Sequence, residues 1–142
     1  MIAYFDTSAF VKLLIAEPGS AEVGRIWDTA RRAASSVLLY PEGRAALAKA
    51  RRDRRLDAKN LSAAVEDLEG LWARVDRVLA SVPLTRRAGA LADEYGLRGC
   101  DAVHLASAET IASADVVLVS TDERLCAAAR LLGLAVARIA IG

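Results

Sequence analysis

The chain opens on a short apolar run, Ile2-Ala3-Tyr4-Phe5, rich in strand formers and cut off by Asp6-Thr7-Ser8. This pattern predicts a strand turning directly into a helix, with Thr7 or Ser8 as its cap and Phe10, Leu13 and Leu14 along it. Glu17-Pro18-Gly19 stops that helix, and Val23, Ile26 and Trp27 mark one side of a second helix over residues 20–32. A small-residue strand fits 33–37. The next helix is expected to begin between Ser36 and Pro41 and to reach about Arg52, because proline is tolerated only in a first turn. Leu61, Val65, Leu68 and Trp72 recur at i, i+4, i+7 and i+11, the signature of an amphipathic helix. Residues 75–82 suit a strand or a helical continuation; the strand is preferred because Pro83 and Thr85 then start a helix that runs to Tyr95 and closes at Gly96. A helix over Ala102–Ile111, a buried strand at Val116–Val119, a helix over Glu123–Leu132 stopped by Gly133, and a strand within Leu134–Ile141 complete the pattern.

Short, unalternated apolar strands separated by helices define βαβ units, so the expected fold is α/β, a three-layer α/β/α domain with a central parallel sheet. A length of 142 residues without linker, repeat or low-complexity tract suits one domain over 1–142. In such sheets ligands bind outside the carboxyl ends of the strands, where strand order reverses.

Composition narrows the chemistry. Nineteen basic residues against eighteen acidic leave a net charge of +1, so affinity for nucleic acid must come from local patches. Charges interrupt every apolar stretch well before 18 residues, which excludes a membrane span. With no N-terminal signal pattern, a cytoplasmic location is expected, with Cys100 and Cys126 as reduced, buried packing residues. A single histidine, His104, rules out a histidine-rich zinc site and any mechanism needing two imidazoles. Alone on a helix beside Leu105 and Ala108, it reads as a packed or hydrogen-bonded core residue outside catalysis. No G-x-G-x-x-G or G-x-S-x-G occurs, and Gly19–Ile26 lacks the Lys and Ser/Thr of a phosphate-binding loop.

The informative residues are acids. Asp6 ends the first strand, and Asp122 follows Val116–Val119 within Ser120-Thr121-Asp122, which places both at one edge of the sheet. Asp101 opens its helix and Glu42 lies in the first turns of another. Each alone suits helix capping or a favourable dipole position. Together, ionised carboxylates about 5 Å apart repel by roughly 3 kcal/mol at an effective dielectric of 20, so a cluster persists only with protons or a cation. Oxygen-only donors favour Mg²⁺ or Mn²⁺.

Asp6-Thr7-Ser8 after an apolar strand, Glu42, Leu97–Ala108 (LRGCDAVHLASA) and Ser120–Leu125 (STDERL) resemble the PIN domain, specifically the VapC-type toxins of toxin-antitoxin pairs. The resemblance spans essentially the whole chain and departs locally at Pro41-Glu42-Gly43, a poor helix context. It implies a metal-dependent endoribonuclease that is a homodimer, acts on RNA and is neutralised by a VapB-like antitoxin. It further implies an acidic Mg²⁺ or Mn²⁺ site of Asp6, Glu42, Asp101 and Asp122, with Asp6 and Asp101 as principal ligands and Thr7, Ser8 and Thr121 as supporting hydroxyls. The basic run 44–55 reads as a solvated helix end, but Lys49, seven residues beyond Glu42 on the same helical face, can meet an RNA phosphate. Two rivals remain: a PIN-like binding module without catalysis, and a receiver- or phosphatase-like domain. The latter needs a late lysine, and this chain has none after Lys59.

Overall fold

Strand β1, Ile2–Phe5, lies at the centre of the molecule because both of its faces are apolar. Ala3 and Phe5 pack with Phe10, Val23, Leu39, Leu47 and Leu68, whereas Tyr4 packs with Leu91, Leu105, Leu118 and Leu125. Each fully buried leucine among these contributes roughly 2 kcal/mol from removal of apolar surface from water. The computed structural model describes residues 1–141. Strands β2 (Arg32–Ser36), β3 (Val75–Val78), β4 (Val116–Ser120) and β5 (Ala135–Arg138) join β1 in one parallel sheet of order β3-β2-β1-β4-β5. Ile2 pairs with Arg32 on one side and with Val116 on the other, so the order reverses at the β1/β4 boundary.

Helices α1 (Thr7–Phe10), α2 (Ser20–Thr29), α3 (Leu39–Arg52) and α4 (Ala58–Trp72) cover the Phe5 face. The opposite face is covered by α5 (Val82–Tyr95), α6 (Gly99–Thr110) and α7 (Glu123–Leu131). This is the α/β/α arrangement expected from the sequence. No helix among the described residues is long and apolar enough to cross a membrane.

Local differences from the sequence reading have local causes. The first helix is a single α turn continued by a 3₁₀ turn at Val11–Leu13, and its cap is Asp6 rather than Thr7 or Ser8. Helix α2 ends at Thr29 because Arg31 already donates its N–H to Met1 and enters β2. Helix α6 begins at Gly99, ahead of Asp101, and β5 spans only Ala135–Arg138. Pro41 sits in the first turn of α3, where its missing N–H has no helical partner to lose. Cys126 is buried as expected, but Cys100 is only half-buried.

Gly19 turns the chain into α2 with φ at +93°, and a Cβ there would stand 2.6 Å from Ile139 Cγ2. Beside it the buried Lys12 donates to the Pro18 carbonyl at 2.7 Å and to Glu17 at 3.1 Å. That corner supports the wall of the cleft described next.

Candidate functional site

Asp6 leaves β1 at the point where strand order reverses. Its Oδ1 accepts the Ala9 N–H at 3.0 Å, which caps α1, and the Ser8 hydroxyl at 2.8 Å. Its Oδ2 accepts the Ser120 hydroxyl at 2.5 Å. The side chain is only 3% exposed. Burial pushes its carboxyl above the usual aspartate range, with the hydrogen bonds from Ser120, Ala9 and Ser8 pulling the other way.

Two hydroxyls tie the β4–α7 corner to this carboxylate. Ser120 Oγ also accepts the Asp122 N–H at 3.0 Å, and Ser8 Oγ accepts the Thr121 N–H at 3.1 Å. Thr121 thus contributes its backbone to this link. Asp122 caps α7 by accepting the Leu125 N–H on Oδ1 at 2.9 Å, and its Oδ2 takes no hydrogen bond among the described residues.

Glu42 comes from the first turn of α3. Its Oε1 accepts the Thr7 hydroxyl at 2.9 Å and lies 2.7 Å from His104 Nε2. Partial burial pushes its carboxyl up, but the hydrogen bond and field of His104 and the bond from Thr7 outweigh that, leaving it below the usual glutamate range. His104 itself is 2% exposed, and its Nδ1 lies 2.8 Å from the Tyr4 hydroxyl. It is the hydrogen-bonded core residue expected from the sequence, but its second ring nitrogen joins it to one of the four acids.

Asp101 lies in the first turn of α6 rather than at its cap. Its Oδ2 pairs with Arg98 at 2.9 Å, the arginine being 77% exposed and the aspartate 15%. Asp101, with the field of Asp122 behind it, holds the guanidinium more firmly protonated than usual. Asp101 and Asp122 line one cavity of about 700 Å³ together with Ser8, Arg98 and Thr121. A neighbouring cleft of about 340 Å³ shares Ser8 and Thr121 and is walled by Thr7, Lys12, Lys49 and Arg55. Asp101 and Asp122 on one side and Lys49 and Arg55 on the other thus flank the same Ser8–Thr121 corner.

The acids therefore gather around one end of the sheet, but they do not close into a cage. Among the described residues no three Asp, Glu, His or Cys side chains are grouped so as to hold an ion. Hydroxyls engage Asp6, an imidazole and a hydroxyl engage Glu42, and an arginine engages Asp101. The donor set nevertheless fits a hard divalent cation: it is all oxygen, and Glu42 Oε2 and Asp122 Oδ2 carry no hydrogen bond among the described residues. Three contributors escape the sequence reading. Ser120 could have been found from its place at the end of β4 beside Asp122, whereas the Arg98–Asp101 pair and the Tyr4–His104–Glu42 chain depend on tertiary contact.

A family model for the PIN domain matches residues 3–131, and the chain belongs to that family. Ribonuclease VapC45 of Mycobacterium tuberculosis (strain CDC 1551 / Oshkosh) is 44% identical over 136 residues, 96% of this chain and 94% of that protein. Among solved structures, PAE2754 from Pyrobaculum aerophilum matches with a TM-score of 0.71 at 24% identity, covering 96% of this chain and 83% of that one. VapBC2 from Rickettsia felis, solved bound to a DNA fragment from its promoter, matches with a TM-score of 0.65 at 17% identity, covering 99% and 100%. These two structural likenesses concern the fold.

Proposed function

We propose that this chain is the ribonuclease toxin of a VapBC-type toxin-antitoxin pair and hydrolyses RNA phosphodiester bonds with Mg²⁺ or Mn²⁺ held by Asp6, Glu42, Asp101 and Asp122. The observation that carries the reading is that Asp101 and Asp122 line one cavity with Ser8, whose hydroxyl bonds Asp6, in a chain 44% identical to a named ribonuclease over nearly its whole length.

A divalent cation, when bound, supplies charge neutralisation at the phosphate and makes a water more acidic. The chain's own side chains do the positioning. Ser8 and Ser120 hold both oxygens of Asp6, while Thr7 and His104 hold one oxygen of Glu42. Lys49, on the cleft that adjoins the acids, meets a phosphate of the same strand once it leaves Asp53, its partner at 2.6 Å. The partners of this reading are single-stranded RNA, a second copy of the chain, and a VapB-like antitoxin. The antitoxin lays a basic side chain across the acidic groove, in the cytoplasm.

The test is cleavage of single-stranded RNA by the purified chain with Mg²⁺ or Mn²⁺, its arrest by EDTA, and its loss in Asp101→Asn. Asparagine keeps the size of the side chain and removes the charge that attracts the cation. Cleavage indifferent to EDTA, or undiminished in the variant, overturns the metal site, and absence of cleavage by the wild-type chain with either ion overturns the reading in favour of a binding module.

A further inference from the structure

Glu42 is gripped on one side only. Both hydrogen bonds to its carboxylate fall on Oε1, from Thr7 at 2.9 Å and opposite His104 Nε2 at 2.7 Å, while Oε2 takes none among the described residues. A carboxylate accepts and does not donate, so the proton between Glu42 and His104 belongs to Nε2. That N–H is shared with Thr7 Oγ1 at 3.3 Å, which draws the Thr7, His104 and Glu42 side chains into one triangle. The imidazole cannot swing away. It is 2% exposed, its Nδ1 is bonded to the Tyr4 hydroxyl at 2.8 Å, and the two rings meet edge to face at 5.9 Å. Tyr4 in turn is fully buried in the central strand.

Glu42 needs such an anchor. It is carried by the first turn of a helix whose cap residue, Leu38, makes no side-chain cap bond, and its own side chain is 28% exposed. Fixing a flexible glutamate in one rotamer costs side-chain entropy that would otherwise be lost when a ligand binds. We propose that His104 is a positioning residue of the nuclease site: anchored by Tyr4, it holds Glu42 Oε1 so that Oε2 stands free as a ligand for the divalent cation. This rests on the metallo-ribonuclease reading above. Outer partners of this kind typically change metal affinity or activity about 10–100-fold.

Two amides separate positioning from packing. In His104→Gln the terminal amide falls where Nε2 lies and can still donate to Glu42. In His104→Asn the shorter side chain reaches the Nδ1 position, meets Tyr4, and leaves Glu42 held by Thr7 alone. Mn²⁺ affinity by calorimetry, kcat and KM for RNA, and thermal unfolding are measured for both beside the wild type. The expected result is that His104→Asn folds, binds Mn²⁺ at least about tenfold more weakly and loses kcat with little change in KM for RNA, while His104→Gln stays within a few-fold of wild type. Wild-type Mn²⁺ affinity and kcat in folded His104→Asn overturns the proposal, as does equal damage in both variants or a failure of both to fold, each of which assigns His104 to stability. If the wild-type chain neither binds Mn²⁺ nor cuts RNA, the nuclease reading falls and this one with it.

Discussion

The Ser120 hydroxyl donates to Asp6 Oδ2 at 2.5 Å while accepting the Asp122 N–H at 3.0 Å, so one small side chain at the end of β4 joins two acids from separate parts of the chain. The arrangement follows from strand order. β1 and β4 are parallel neighbours with Phe5 paired to Val119, so the residue after each pair enters the same corner.

Replacing Ser120 with alanine removes both bonds and leaves Asp6 Oδ2 buried without a donor. Loss of a hydrogen bond to a buried charged group costs about 1–3 kcal/mol, so Ser120→Ala is expected to melt several degrees below wild type. Differential scanning calorimetry of the metal-free chain checks this. An unchanged melting temperature would show that water replaces the hydroxyl.

Asp6 carries a pH dependence of definite sign. Burial raises its folded pKa above the unfolded value. Stability from the protonated carboxyl is therefore fully present below the ordinary aspartate range and is lost as pH rises through the folded pKa. Asp6→Asn has no such titration, and Ser120 Oγ can turn to accept from the new amide. Without metal, its melting temperature relative to wild type should climb from about pH 4 to about pH 8, ending equal or higher. A relative stability that falls with rising pH would contradict the assignment.

Much of this was legible in the residues, and the exceptions have physical reasons. Asp6 and Asp122 could be placed at one sheet edge because each follows an apolar strand within three residues, and strand ends are what a parallel sheet aligns. The start of α6 at Gly99 is hard to read because Gly99 and Cys100 are weak helix formers and the cap at Arg98 uses no side-chain bond. The cap of α1 at Asp6 is hard to read because aspartate, threonine and serine, all common caps, stand in succession at 6–8. His104 looked like core because it is core. Its bond to Glu42, 62 residues away, is a tertiary fact that no periodicity encodes.

Gly19 gives a stability prediction away from the acids. Its φ of +93° disfavours any Cβ, and the atom would meet Ile139 Cγ2 at 2.6 Å and the Ala140 carbonyl at 3.0 Å. Backbone strain of about 1–3 kcal/mol adds to the displacement of Ile139, so Gly19→Ala should lose at least about 2 kcal/mol in urea unfolding. Wild-type stability would mean that the turn relaxes to a negative φ without disturbing Ile139 and Ala140 beyond β5.

Arg98 separates two opposing effects on the same cavity. Its guanidinium occupies Asp101 Oδ2 and so competes with any cation that needs this carboxylate, but at 77% exposure the pair is screened and weak. Removing the arginine in Arg98→Ala should therefore strengthen Mn²⁺ binding by no more than a few-fold. The same change takes a positive charge from a wall that Asp101, Asp122 and Thr121 share, and a phosphate backbone depends on such charges for affinity. KM for RNA should rise, most visibly at low salt, while Mn²⁺ affinity moves the other way. Calorimetric titration with Mn²⁺ and initial rates over a range of RNA concentrations read the two effects separately. A drop in Mn²⁺ affinity would mean that Arg98 steadies Asp101 for the cation instead of competing with it.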